Sequence, residues 1–213
     1  VTSSAGPCAE ISPRGVLRPL ANGSNQLSAT FAGHRAEAPL ETAGLGDRYQ
    51  ADFIRAVNPV LAKLGCNAGT CHGSKEGKNG FKLSLRGYDP EYDVRSLADD
   101  LASRRVNVAS PDESLMLLKA IAEVPHEGGR RTLMANPYYQ VLRQWIADGA
   151  RLDSNAARVA KIELFPHNPV VAQIGSRQQM RVVATFDNAS TRDVTLEAFI
   201  ESGNTDVAPA DTA

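Results

Sequence analysis

This chain is poor in the residues that usually announce chemistry. Its 213 residues include three cysteines, four histidines, three methionines and one tryptophan. No apolar run approaches the roughly 20 residues that a membrane-spanning helix needs, so no span is expected. Charge of one sign is missing as well. Lys and Arg number 23 against 24 Asp and Glu, a formal net charge of −1. Without a basic excess or a concentrated basic stripe, the chain is not expected to bind nucleic acid. It carries no glycine-rich phosphate cradle, no Ser-His-Asp arrangement and no paired-carboxylate site. Val1 opens without the charged and apolar leader of a signal peptide. Hydrophobic content of 42% is sufficient for a buried core.

What is present converges on one stretch, Gly65-Cys66-Asn67-Ala68-Gly69-Thr70-Cys71-His72-Gly73. A cysteine followed directly by a histidine, with a second cysteine a short loop upstream, is how c-type haem is attached. Cys66 and Cys71 would form thioethers to the porphyrin vinyl groups, and His72 would lie under the iron as proximal ligand. Four residues separate the cysteines where two are usual. Ala68 is small and Gly69 can adopt positive φ, so the longer loop is expected to bulge there. Three other uses of the same residues stay open. Cys66 and Cys71 could form a small disulfide, or join His72 and His126 in a Cys2His2 zinc site, or bind nothing. Cys8 stands apart with no obvious partner.

The flanks alternate apolar and polar residues, as strands do. Ala9-Glu10-Ile11, Gly15-Val16-Leu17 and Asn25 to Phe31 are punctuated by Pro13, Asn22-Gly23 and Gly33. In the tail, Lys161 to Pro166 and Gln178 to Phe186 read as strands, Asp187 to Ser190 as a turn, and Arg192 to Thr195 as the next strand. The middle is helical in period. Apolar positions from Phe53 to Leu64 share a face interrupted by Pro59. Asp89-Pro90 starts a helix predicted to run through Leu101. Ser110-Pro111 starts a second through Ile121, and Asn136-Pro137 a third that stops at Gly149.

Two resemblances follow from these residues. The tail resembles the first half of a bacterial Ig-like group 2 domain in its strand ending at Pro166, in Gly175, and in Asp193-Val194-Thr195. The N-terminal segment resembles the closing strands that the tail lacks. Phe53 to Ala150 resembles the planctomycete cytochrome C domains of large exported proteins. That likeness is carried by Asn58-Pro59-Val60-Leu61, the Cys66–His72 loop, Gly80 to Leu85, Glu113-Ser114-Leu115 and Trp145 to Ala150. The implied fold class is α+β multi-domain. A mostly α, cytochrome c-like haem domain over 47–152 would lie between Ig-like β-sandwich segments at 1–46 and 153–213. The two half-sandwiches are expected to pair with each other, within one chain or between two.

The resemblance implies one covalent haem c and electron transfer, in an exported, periplasmic or otherwise extracytoplasmic protein. The redox partner is not written in the sequence. In the commoner relatives a methionine ahead of the tryptophan helix binds the iron. Here Val124-Pro125-His126-Glu127-Gly128-Gly129 occupies that place, so His126 is the expected distal ligand, with Met134 as its rival and Met116 assigned to the core. Arg104-Arg105 and Arg130-Arg131 are the candidate pairs for the haem propionates. Lys75, Lys78 and Lys82 follow the haem loop and are read as a solvated face, or else as a guide for an acidic partner. An electron carrier is expected rather than an enzyme. The alternatives are a haem-based sensor or small peroxidatic enzyme whose displaceable distal ligand gives way to a gas or peroxide, and a zinc- or disulfide-stapled interaction module.

Overall fold

The computed structural model describes residues 2–4, 6–12 and 15–211. The break expected at Pro13 lies outside them. The chain divides into two compact units, Val1–Tyr49 and Gln50–Ala213.

In the first unit β1 (Thr2–Ser4), β4 (Gly23–Phe31) and β5 (His34–Thr42) form an antiparallel sheet in the order β1-β4-β5. Phe31 pairs with His34 across Ala32 and Gly33, both at positive φ. That is the two-residue turn whose twist suits a hairpin. β2 (Ala9–Ile11) and β3 (Leu17–Pro19) form a separate ribbon. Little of this unit is buried beyond Cys8 and Ala9.

The second unit starts with Asp52, whose carboxylate accepts from Arg55 N at 2.6 Å and caps a π-helical turn over Phe53–Val57. That turn runs directly into α1 (Asn58–Lys63). Pro59 therefore does not break the helical path as the sequence suggests; it falls at the junction of the π turn and α1, where its missing N–H leaves one carbonyl of the preceding turn unpaired. The carbonyl that Pro59 cannot reach, Arg55 O, accepts instead from Arg192 Nη2 at 2.7 Å. α2 (Pro90–Val94) is capped by Asp89, which accepts from Tyr92 N at 3.0 Å. A π turn over Arg95–Asp99 follows, and the helix predicted through Leu101 ends in left-handed backbone at Leu101, Ala102 and Ser103. Pro111–Glu113 is a 3-10 turn, separated from α3 (Leu115–Ala120) by extended backbone at Ser114. The Ser114 hydroxyl accepts from Asn107 N rather than capping α3. α4 (Pro137–Ala147) is the longest helix at 11 residues, capped by Asn136 and ended at Gly149.

These lengths overturn the mostly α, cytochrome c-like domain expected over 47–152. Among the described residues the structure is 24% helical and 21% strand, with four short helices and small antiparallel sheets. Each of Pro59, Pro90, Pro111 and Pro137 opens a new segment, and most segments close after one or two turns. The intervening chain is turn and loop. The core is nonetheless continuous: Phe53, Val57, Leu83, Leu97, Leu117, Leu142, Trp145 and Ile146 form one buried cluster. The Phe53 and Trp145 ring centres lie 5.2 Å apart, and Trp145 Nε1 donates to Arg151 O at 2.9 Å.

The tail contributes β6 (Val159–Phe165), β7 (Arg181–Phe186) and β8 (Thr191–Asp193) as a three-stranded antiparallel sheet. Val182, Ala184 and Phe186 form its buried face. This segment packs on the helices of the same unit. The Arg55 guanidinium lies 4.4 Å over Phe186, Lys63 Nζ donates to Ala198 O at 2.7 Å, and Tyr138 Oη donates to Leu196 O at 2.6 Å. Among the described residues, no helix is long and apolar enough to cross a membrane.

Candidate cofactor site

The Cys66–His72 loop is a chain of reverse turns hung from the end of α1. Gly65, at φ 76°, turns the backbone out of the helix. Cys66 N then donates to Leu61 O at 2.9 Å, Cys71 N to Ala68 O at 2.9 Å, and His72 N to Cys66 O at 3.1 Å. The extra residues are thus absorbed by turns, and the left-handed glycine is Gly65 rather than the expected Gly69. Gly73 closes the loop so tightly that a Cβ there would lie 2.0 Å from Asn67 O. The Cys66 and Cys71 thiols are not bonded to each other. Burial pushes the Cys66 thiol up to about 11, with the nearby Arg131 charge opposing.

His72 is oriented by a hairpin. Lys78 and Phe81 exchange both backbone hydrogen bonds, at 2.9 and 3.0 Å, across Asn79 and Gly80, both at positive φ. Asn-Gly is the preferred pair for such a turn. The hairpin fixes Phe81 O, which lies 3.0 Å from His72 Nδ1. With Nδ1–H donated to a carbonyl, Nε2 keeps its lone pair. Burial lowers the His72 pKa from its ordinary value, the bond to Phe81 opposes, and the charges of His126, Arg105 and Lys119 add to the fall. A neutral imidazole is the form that ligates metal.

His126 repeats the arrangement. Its Nδ1 lies 2.9 Å from Gly129 O, and Gly129 N donates back to His126 O at 2.9 Å. Its loop is held by Lys119 Nζ donating to Pro125 O at 2.5 Å, and by Arg131 N donating to Ala120 O at 2.7 Å. The His72 and His126 rings are nearly parallel, 7° apart, with centres separated by 6.4 Å. That is at the outer edge of the offset-stacking range. A single metal atom bonded to two opposed imidazoles, at about 2.0–2.1 Å per nitrogen, sets the ring centres roughly 6 Å apart.

Both rings line a cavity of about 530 Å³, together with Cys66, Cys71, Leu97, Met116 and Leu142. Cofactor pockets run from roughly 300 to 1,000 Å³. The wall is apolar but its charge is one-sided. Lys78, Arg104, Arg105, Lys119 and Arg131 face it against one carboxylate, Glu127, whose Oε1 is 3.8 Å from Lys78 Nζ. The donor set therefore fits a planar, largely apolar, anionic group with a metal at its centre.

The expected site residues separate accordingly. Cys66, Cys71, His72, His126, Arg104, Arg105 and Arg131 all line the cavity, whereas Arg130 is exposed and does not. Met134, the rival ligand, is 55% exposed and outside the lining, while Met116 is half-buried within it. Arg131 Nη2 lies 3.7 Å from Cys71 Sγ. Among the described residues, no three His, Cys, Asp or Glu side chains assemble as a metal-binding group. Sequence reasoning missed the Phe81 carbonyl and Lys119. The Asn79-Gly80 dipeptide was the signal for the first; Lys119 had none. No protein-family profile, curated protein or solved structure matches the chain.

Proposed function

We propose that the unit Gln50–Ala213 is a monohaem c-type electron-transfer module, with haem held through Cys66 and Cys71 and the iron between His72 and His126. The observation that carries this reading is the pair of parallel imidazoles, 6.4 Å apart across one cavity, each with its Nδ1 within hydrogen-bond reach of a backbone carbonyl. When bound, the group supplies a one-electron couple. The chain's own residues do the rest. Phe81 O and Gly129 O hold the two rings in the tautomer that presents Nε2. The apolar wall lies against the ring, and the cationic rim at Arg104, Lys119 and Arg131 would meet carboxylates, with Arg105 held back on Phe81 and Ser96. If His72 and His126 together held the metal, no position would be left for substrate, which favours a carrier over an enzyme.

Covalent haem attachment belongs to the outer side of an energised membrane, so the proposal includes export and a redox partner outside the cytoplasm. Pairing of the strand segments 1–46 and 153–213, in one chain or two, belongs to the same proposal. A haem-based sensor is the second reading. It is favoured by the place of His126 on a loop that is only partly buried. The test is the spectrum of the purified chain after expression with a haem-attachment system. Low-spin bands unchanged by carbon monoxide in the reduced protein are expected. Rapid and complete carbon monoxide binding favours the sensor, and no covalent haem on the Cys66–His72 peptide overturns both.

A further inference from the structure

Arg105 is 8% exposed, and among the described residues it forms no ion pair. Asp100 acts on its charge from beyond ion-pair distance, so the cost of burying the guanidinium is only partly offset and its place needs a reason. One donor is used, Nη1 to Ser96 O at 2.9 Å. The guanidinium carbon lies 4.3 Å over the centre of the Phe81 ring, within cation–π range. Phe81 in turn touches His72 twice. The two ring centres are 4.5 Å apart, and the Phe81 carbonyl lies 3.0 Å from His72 Nδ1. One residue therefore fixes both the proximal imidazole and a buried positive charge, and the Asn79-Gly80 hairpin fixes that residue.

We infer that Arg105 is a positioning residue that sets the redox potential: its charge, locked on Phe81 and Ser96, acts on the His72 side of the cavity and favours the state holding one electron more. The inference rests on the reading of the cavity as a haem site. The physical ground is Coulombic. A fixed cation one aromatic ring away from a ligand, in a medium less polar than water, opposes the more positive oxidised centre. This differs from a propionate contact, because the charge acts through its place beside the ligand.

The experiment is a spectroelectrochemical titration of the haem-loaded chain beside its Arg105→Met and Arg105→Lys variants, with thermal midpoints measured in parallel. Arg105→Met should lower the reduced-to-oxidised ratio at fixed potential on the order of tenfold, a fall of about 59 mV for one electron. Arg105→Lys should keep most of the wild-type potential while losing stability, since it keeps the charge and loses the planar stack on Phe81. An unmoved potential in Arg105→Met, with a lowered thermal midpoint, would overturn the inference and leave Arg105 a packing residue. Equal falls in both variants would overturn it too, because charge would then not be the cause. Should Arg105→Met fail to fold, Arg105→Gln, which keeps a donor for Ser96 O, carries the same comparison. Absence of thioether-linked haem from the wild-type Cys66–His72 peptide would overturn the haem reading and this inference with it. That result is distinct from an unmoved potential in a loaded protein.

Discussion

His126 and Met134 lie eight positions apart in the chain, and the structure separates them by exposure. His126 faces the cavity opposite His72, whereas Met134 is more than half exposed and its carbonyl accepts from Gln140 Nε2 at 2.7 Å. If the cavity holds haem as proposed, His126→Ala should leave it attached at Cys66 and Cys71 but open the iron to added imidazole or carbon monoxide. Met134→Ala should leave the spectrum as it was. The reverse pattern sinks the assignment of His126. A second residue-scale prediction concerns Asp112. Arg143 grips it with Nε and Nη2, each at 2.8 Å, and Tyr139 Oη donates at 2.9 Å. These hydrogen bonds, Arg143's first, hold the Asp112 carboxyl below its usual range. A depressed carboxylate stabilises the fold at pH above its unfolded value and loses that contribution as pH falls through the folded one. Asp112→Asn should flatten the acid limb of a melting-temperature profile and leave the neutral-to-alkaline part less affected in slope. An unchanged acid limb would count against this pair as its source.

At the scale of elements, proline and its replacement donor matter most. Pro59 deprives Arg55 O of its helical partner, and Arg192, from a strand well over a hundred residues later, supplies one. Arg192 also reaches Glu197 Oε1 at 3.4 Å. Arg192→Ala should cost about 1–2 kcal/mol, the usual range for stranding a partly buried carbonyl. Arg192→Lys should recover part of it. Denaturant unfolding followed by Trp145 fluorescence reads both, and a neutral Arg192→Ala refutes the linkage. The Asn79-Gly80 hairpin is the second case. Gly80 is at φ 73°, and a Cβ added there would meet open space, so Gly80→Val strains the backbone without a clash. Its expected mark is a shifted His72 ring resonance as Phe81 O moves, at a stability cost of about 1 kcal/mol.

For the whole molecule, the two units predict where a protease cuts first. The connection between Thr42 and Ala51 is largely exposed and contains Gly44 and Gly46. Limited proteolysis should release a stable fragment starting near Gln50 that keeps the Cys66–His72 loop, His126 and the whole tail through β8. Early loss of the tail from that fragment would contradict the packing of Lys63, Arg55 and Tyr138 against it.

Much of the candidate site is legible along the chain, because its chemistry is local. Cys66, Cys71 and His72 lie within one short loop, and the helix starts at Asp89-Pro90 and Asn136-Pro137 are marked by residues that cap or preset the backbone. The flanking strands show in their alternation for the same reason. The fold class did not follow from those signals. Apolar spacing in the middle of the chain indicates which residues turn inward, but not how long each helix lasts, and π turns and left-handed backbone at 95–103 cut the expected helices short. Three features needed the tertiary structure. His126 meets His72 only because two loops distant in sequence close on one cavity. Phe81 serves His72 through a carbonyl, which every residue has and no sequence pattern distinguishes. Arg192 completes α1 from the far end of the chain, since a missing backbone donor can be replaced by any side chain that packing brings near.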